Sequence, residues 1–416
     1  MSTIFREKKS LTLKPLAVSI ALIASSASTS TQAAEEGSFI DALTNGKAFA
    51  NLRLRYEHAD FDNTLDSADA LTLDTSFGYK TKDYYGWSFL VEGEDVREVL
   101  GVRDFSVPPA GVRPQEFDVI LDPETTELDQ AFVQYKANGF LAKLGRQVIT
   151  HDGHRFIGHV GWRQDRQTFD GVTLGYESGG LALTGSYVTQ RNRIFAEEAD
   201  IDSEDIFLNA SYKFGTGKLV AYSYLLEQDD NGPEIDTYGI SYNGKFNAGS
   251  STFNYGLEYA TQDNGDLDTD YIHINGGAKF GAFKLGLGYE LLGSDDGAGA
   301  FTTPLATLHK FNGWADVFAG GTPDRGLEDI YASLDIAIAG GKGGNFKLVF
   351  HDFDGDETNP VTGSDDYGDE IDVQYTYNFS KHVYSGIKYA NYNGGEGGPG
   401  LVDRERIWAW VGFKFK

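Results

Sequence analysis

The sequence predicts an all-β fold, a transmembrane antiparallel β-barrel of 18 strands with short periplasmic turns and long extracellular loops. Three observations carry this: period-two alternation along most of the chain, regular alternation of short turns with long polar loops, and aromatic residues gathered beside the short turns. Composition agrees, since Gly 51, Tyr 23 and Phe 28 against Pro 10 and Met 1 favour many strands joined by turns. Cysteine is absent, which excludes a disulfide framework and thiol chemistry.

Residues 1–34 read as a secretory signal peptide: Arg6, Lys8, Lys9 and Lys14 precede an apolar run from Leu16 to Ala24, and small residues follow to Ala33 and Ala34. Residues 35–46 then form a short periplasmic segment and residues 47–416 the barrel. No later stretch approaches the roughly 20 apolar residues of a membrane helix, so a membrane location requires a closed barrel.

The strands follow in order. Ala50, Leu52, Leu54 and Tyr56 share one face of the first, and Asn51, Arg53, Arg55 and Glu57 the other. The pattern returns in Leu71 to Tyr79, Tyr85 to Val91, Ile206 to Tyr212, Phe253 to Tyr259, Phe283 to Tyr289 and Ile371 to Tyr377, and ends in Ile407 to Phe415. Ala50, Leu52, Leu54, Phe253, Tyr255 and Leu257 are expected to face lipid.

Short turns are expected near Lys82, Asn138, Gly179, Gly215, Asn247, Gly281, Gly341 and Ser380. Long loops are expected at 58–69, 95–126, 150–169, 191–204, 227–236, 262–269, 293–326, 351–369 and 391–405. Eight turns and nine loops give seventeen connections, hence eighteen strands with both ends on the short-turn side. Tyr79, Tyr85, Tyr135, Phe140, Tyr176, Phe214, Tyr242, Phe280, Phe283, Phe346, Tyr377 and Phe379 flank the turns, as an interfacial girdle would.

The opposite strand faces are polar and line a lumen, because eighteen strands enclose more space than their own side chains fill. Lys80, Lys136, Lys143, Lys213, Lys279, Lys284 and Lys347 lie mainly beside short turns, whereas the loops EEADIDSED, QDNGDLDTD and HDFDGDE are acidic. A basic periplasmic mouth below an acidic outer rim follows, with the acidic loops either binding bridging cations, staying soluble or biasing ion passage. The full-length net charge of −27 argues against nucleic-acid binding.

The loop HDGHRFIGHVGWRQDRQ breaks the acidic rule with Arg155, Arg163, Arg166, Phe156 and Trp162. Guanidinium forks pair with carboxylates and aromatic faces suit sugar rings, so the loop reads either as a constriction for acidic sugars or as a packed plug. Together with 293–325, which holds Phe311 and Trp314, it is expected to fold into the lumen, because these rings are costly in water.

Catalytic and metal motifs are missing. His151 and His154 in HDGH have no ligand spacing rule, Asp352, Asp354 and Gly355 lack the rest of a calcium loop, and Gly395, Gly397 and Gly400 precede no helix. The reading is therefore not an enzyme, with no cofactor and no metal.

The blocks LRLRYEHADF from Leu52, LDQAFVQY from Leu128, LGRQVI from Leu144, RFIGHVGWRQDRQTFDGV from Arg155, TPLATLHKFNGWADVF from Thr303 and GLEDIY from Gly326 resemble the alginate export family of outer-membrane porins. The resemblance runs over almost the whole mature chain. It implies an 18-stranded monomeric barrel in the cell outer membrane, in contact with its lipid and lipopolysaccharide. It also implies a channel for acidic polysaccharide, oligosaccharide or other anions through an arginine-rich constriction. Arg53, Arg55, Arg146, Arg155 and Arg163 stand in family-like blocks, and Trp162, Lys310 and Trp314 join them as pore residues. The mixed lumen and acidic loops depart from that pattern and count against passage of a long polyanion; the alternatives are a general diffusion porin for small ions and solutes and a structural or adhesive barrel closed by its loops. The chain also ends in Lys416 where an aromatic is usual.

Overall fold

The computed structural model describes residues 38–229, 232–265 and 267–415; the expected leader and Lys416 lie outside the described residues. The first element is a short helix, α1 (Phe39–Thr44), capped by the Ser38 hydroxyl, which accepts from the Asp41 N–H at 3.1 Å. It is tied to the short-turn end, where Tyr79 Oη donates to the Leu43 carbonyl (2.6 Å) and the Lys82 N–H to that of Ala42 (3.1 Å).

Eighteen strands follow: β1 (Lys47–Phe61), β2 (Ala68–Lys80), β3 (Trp87–Asp104), β4 (Thr125–Ala137), β5 (Phe140–Gln147), β6 (Thr168–Ser178), β7 (Leu181–Asn192), β8 (Ile201–Phe214) and β9 (Gly217–Glu227) make the first half. The second half is β10 (Glu234–Ala248), β11 (Ser251–Asp263), β12 (Asp268–Phe280), β13 (Phe283–Leu292), β14 (Leu327–Ala337), β15 (Asn345–Asp354), β16 (Asp366–Asn378), β17 (Val383–Gly394) and β18 (Arg404–Phe415). Each pairs antiparallel with the next, and β1 closes on β18 in register from Ala50 opposite Phe415 to Phe61 opposite Arg404. Closure removes both sheet edges, the condition for crossing a membrane with strands.

The expected strand number and connections hold, but several strands run further outward than expected. β3 continues to Asp104, ten residues into the stretch expected to be loop from 95. Beyond the apolar band both faces of a hairpin meet water, so the ladder persists where alternation has ended. The turn expected at Asn247 lies at 249–250, because Asn247 still pairs with Thr252. Four tight turns place glycine in the left-handed region, with φ of 58° at Gly179, 55° at Gly215, 61° at Gly249 and 58° at Gly281.

Alternation sorts the faces as expected. Leu52, Leu54, Tyr255 and Leu257 are exposed on the outer face, while Arg55 and Glu57 between them are buried inside. Tyr85, Phe140, Tyr176, Phe214, Phe280, Phe283 and Phe379 of the girdle are also exposed outward. We predict that Leu257→Arg, which sets a charge in the lipid band of β11, destabilises the barrel by about 2–4 kcal/mol in vesicle unfolding titrations. An effect near zero would mean that this face does not meet lipid.

Candidate functional site: a plugged lumen with a basic wall

Loop 148–167 between β5 and β6 and loop 293–326 between β13 and β14 both turn inward and meet. The Gly158 N–H donates to the Leu305 carbonyl (2.8 Å), the Thr307 N–H to that of His154 (3.0 Å), and Lys310 Nζ to that of Gly153 (2.7 Å). Apolar burial explains why. Phe156 lies among the rings of Tyr222 (5.2 Å), Tyr224 (6.2 Å), Tyr271 (5.2 Å) and Phe301 (5.9 Å), where each well-oriented aromatic pair adds about 0.5–1.5 kcal/mol to area burial. Trp162 stacks on His309 at 4.5 Å and meets Trp408 and Trp410 edge-on at 5.8 and 5.5 Å.

Ion pairs fasten this plug to the wall. Arg155 donates to Glu290 (2.7 Å), Thr303 (3.2 Å) and Asn312 (3.1 Å), and Asn312 donates to the other Glu290 oxygen at 2.7 Å. Arg163 forks onto Glu57 at 2.9 and 3.1 Å and reaches Asp316 at 2.9 Å. Glu57 also accepts from Arg406 of β18 at 2.9 Å. Arg55 donates to Asp122, which comes from a third loop, 105–124, and to the Trp162 carbonyl.

The electrostatics keep these groups charged where they pair. Burial works against the Arg163 cation, but Glu57, Asp122 and Asp316 outweigh it and raise its affinity for the proton further. Burial likewise pushes the Asp316 carboxyl up, yet the His309 Nδ1–H, Arg163 and Arg406 hold it well below the usual range. Asp122 is also held low, because Arg55 and Arg163 overcome its burial.

A lysine completes the fastening. Lys388 of β17 projects Nζ to within 4.0 Å of the Trp162 ring centre, 3.8 Å of that of Trp314 and 2.8 Å of His309 Nε2. Opposite, His309 Nδ1 is 2.7 Å from Asp316. An ammonium can only donate and a carboxylate only accept, so His309 is the neutral tautomer with its proton on Nδ1. Burial depresses its pKa to about 3. The Trp314 and Ala315 N–H groups both donate to Glu370 of β16, the latter at 2.7 Å.

The pore residues expected from sequence are thus only partly brought together. Arg55, Arg155, Arg163, Trp162 and Trp314 converge, but as buried plug fasteners rather than a free ring of cations, because carboxylates from two loops (Asp122, Asp316) and two strands (Glu57, Glu290) take up the guanidiniums. Arg53 borders an open chamber, with its guanidinium on Gln164 Oε1 (2.8 Å) and the carbonyls of Gly161 (3.3 Å) and Arg163. Lys310 is exposed and bridges the two loops. Arg146 stands apart: it pairs with Asp170 at 2.8 and 3.1 Å on the strand face of the exposed Leu144, away from the plug.

Below the plug, toward the short turns, the inner face of β8 to β13 is basic. Lys245 is in register with Asn254, Gly277 and Gly286. Lys213 stands opposite Lys218, and Lys279 opposite Lys284. Like charges directly opposite on a sheet are destabilising, and no fold requirement demands them here. Lys218 is matched by Asp152 at 2.9 Å, whereas among the described residues Lys213, Lys245, Lys279 and Lys284 make no salt bridge. Asp335 is the acid in the row Lys279, Lys284, Asp335, Lys347. The inner-face acids Asp74, Glu92, Glu94, Asp129, Glu290, Asp329, Glu370 and Asp372 lie further from the short turns on strands all round the barrel, so the lumen divides along its axis.

The alginate export family model matches residues 40–295, more than half of the chain. The chain belongs to the alginate export family. Solved barrels of similar fold include the outer membrane protein OpdK from Pseudomonas aeruginosa, with a TM-score of 0.69, 15% identity and coverage of 89% of this chain and 98% of that one. OccK9 (OpdG) from the same organism gives a TM-score of 0.70 at 16% identity, covering 90% and 100%. OccAB4 from Acinetobacter baumannii gives 0.70 at 14%, covering 88% and 97%. No curated protein sequence matches the chain significantly.

This alginate export family member is an outer-membrane β-barrel channel. Several of its site residues have roles with no local sequence signal: Asp122, Asp316, His309 and Lys388 act through partners on other strands or loops, and parity places Glu57 and Glu290 inside without naming their partners. Lys245 could have been found, since its strand alternates regularly and its parity places it in the lumen.

Proposed function

We propose that the channel conducts small acidic solutes, such as uronate mono- and oligosaccharides and other carboxylates, along the basic wall formed by β8 to β13. The observation that carries this is the set of lysines 213, 245, 279 and 284, which face the lumen without a salt bridge while the arginines of the plug are paired. Charges in a narrow passage are screened far less than loop charges beyond a Debye length of about 8 Å, so the local lysines outweigh the larger acidic total. A plug held by two loops favours short solutes over a long polymer. One barrel of similar fold, OpdK from Pseudomonas aeruginosa, has been crystallised with vanillate, itself a carboxylate. The working protein is taken to be a monomer freed of residues 1–34, with its outer rim against lipopolysaccharide.

The test is block of single-channel current by galacturonate oligomers. Replacing the four lysines with glutamine is expected to raise the half-blocking concentration at least about tenfold, each lost charge-assisted hydrogen bond being worth roughly 1.5–3 kcal/mol. Equal block of the wild type and the variant would leave an unselective diffusion pore.

A further inference from the structure

A chamber of about 680 Å³ lies between the plug and β1 to β4, separate from the lysine wall just described. At its upper end stand Asp74 and Glu94, at its short-turn end Lys47 and Lys80. Lys47 and Lys80 are directly opposite in register and make no salt bridge among the described residues. Glu92, between the two ends, is already engaged by Arg166 (2.6 Å) and Gln130 (2.7 Å).

Asp74 is the telling group. It is only 4% exposed, and one carboxylate oxygen accepts from Asn51 at 3.1 Å while the other, Oδ1, has no hydrogen-bond partner. Arg53 faces it in register but turns its guanidinium to Gln164 and to loop carbonyls. Glu94 is 5% exposed and lies within electrostatic reach of the acids Asp129 and Asp165 and of Arg166, whose own hydrogen bonds go to Asp129 and Glu92. Buried carboxylates are unfavourable without a partner, so this end fits a cation from outside.

We propose that the chamber binds small zwitterionic solutes, with an ammonium or guanidinium at Asp74 and Glu94 and a carboxylate at Lys47 and Lys80. Ser76, which is opposite Glu94, is four residues from Lys80, or roughly 13 Å at strand rise, and a lysine side chain reaches back over part of that. The two ends therefore suit charges separated by several bonds rather than those of an α-amino acid headgroup alone. This assignment goes beyond the acidic-solute reading and uses different lysines, so either can fail without the other.

The probe is 6-aminohexanoate, added on the short-turn side of single channels, with hexylammonium and hexanoate as the one-charge controls. 6-Aminohexanoate is expected to block at least about tenfold more strongly than either control, and Asp74→Asn with Glu94→Gln to weaken its block by a similar factor. Lys80→Gln, at an exposed position, is expected to weaken it too and covers the case in which the buried pair does not assemble. Block by hexylammonium as strong as by the zwitterion, or block unchanged in Lys80→Gln, would overturn the proposal.

Discussion

Replacing Arg155 and Arg163 together with alanine is expected to release the plug and raise single-channel conductance several-fold while the barrel remains folded. Each arginine is buried: removing Arg155 takes from Glu290 its salt bridge, and removing Arg163 breaks the link between Glu57 of the wall and Asp316 of the plug, leaving Glu57 to Arg406 and Arg55 and Asp316 to His309. Breaking a buried pair by deleting one partner costs about 3–5 kcal/mol. That cost falls on the contact between plug and wall, because the strand ladders around the lumen do not use these side chains. Planar-bilayer recordings check the conductance, and retained heat-modifiable migration checks the barrel. Unchanged conductance in a folded double variant would mean that the loops stay inside without their arginines.

Acidification is expected to open the same plug. Burial pushes His309 down to about 3, and His151 and His159 to about 4, from an ordinary 6.5. A depressed histidine pKa means the docked loops favour the neutral ring, so the released loops bind more protons between pH about 3 and 6.5. Docking is then complete above pH about 6.5 and weakens as pH falls through that window. Asp165 opposes this: burial and the nearby Glu127 and Asp129 push its carboxyl well above the usual range, so its protonation favours the docked state at low pH. The four histidines of the two loops, His151, His154, His159 and His309, are all pushed down by burial and set the sign. The open fraction should rise from pH 7 to pH 4.5, and His309→Gln should reduce that dependence by about one proton. A flat profile, or a slope untouched by His309→Gln, would remove the histidines from the fastening.

The barrel was readable because its determinants are local. Period-two alternation, turn glycines and aromatics beside the turns each act within a few residues, and Arg55 and Glu57 were on the inner face by parity alone. Strand ends were less readable, since beyond the lipid band nothing in β3 from Asp95 to Asp104 alternates although the ladder continues. Phe156 and Trp162 announced that their loop must turn inward, because such rings are unfavourable in water.

The roles of the arginines were not readable. Arg163 and its partner Glu57 are 106 residues apart, Arg155 and Glu290 are 135 apart, and no spacing rule links them. The same arginine-rich loop would have served as an open constriction had Glu57, Asp122, Glu290 and Asp316 been elsewhere. Register across the lumen is what turns Lys213, Lys245, Lys279 and Lys284 from scattered basic residues into one wall.

The zero-current potential in a KCl gradient, measured on the wild type, the Arg155→Ala/Arg163→Ala variant and the four-lysine glutamine variant, tests most directly which residues set selectivity. Anion preference in the first two and its loss in the third is the expected result, since the arginines fasten and the lysines face the passage. Cation preference in the wild type, or anion preference lost with the arginines and kept without the lysines, would contradict it.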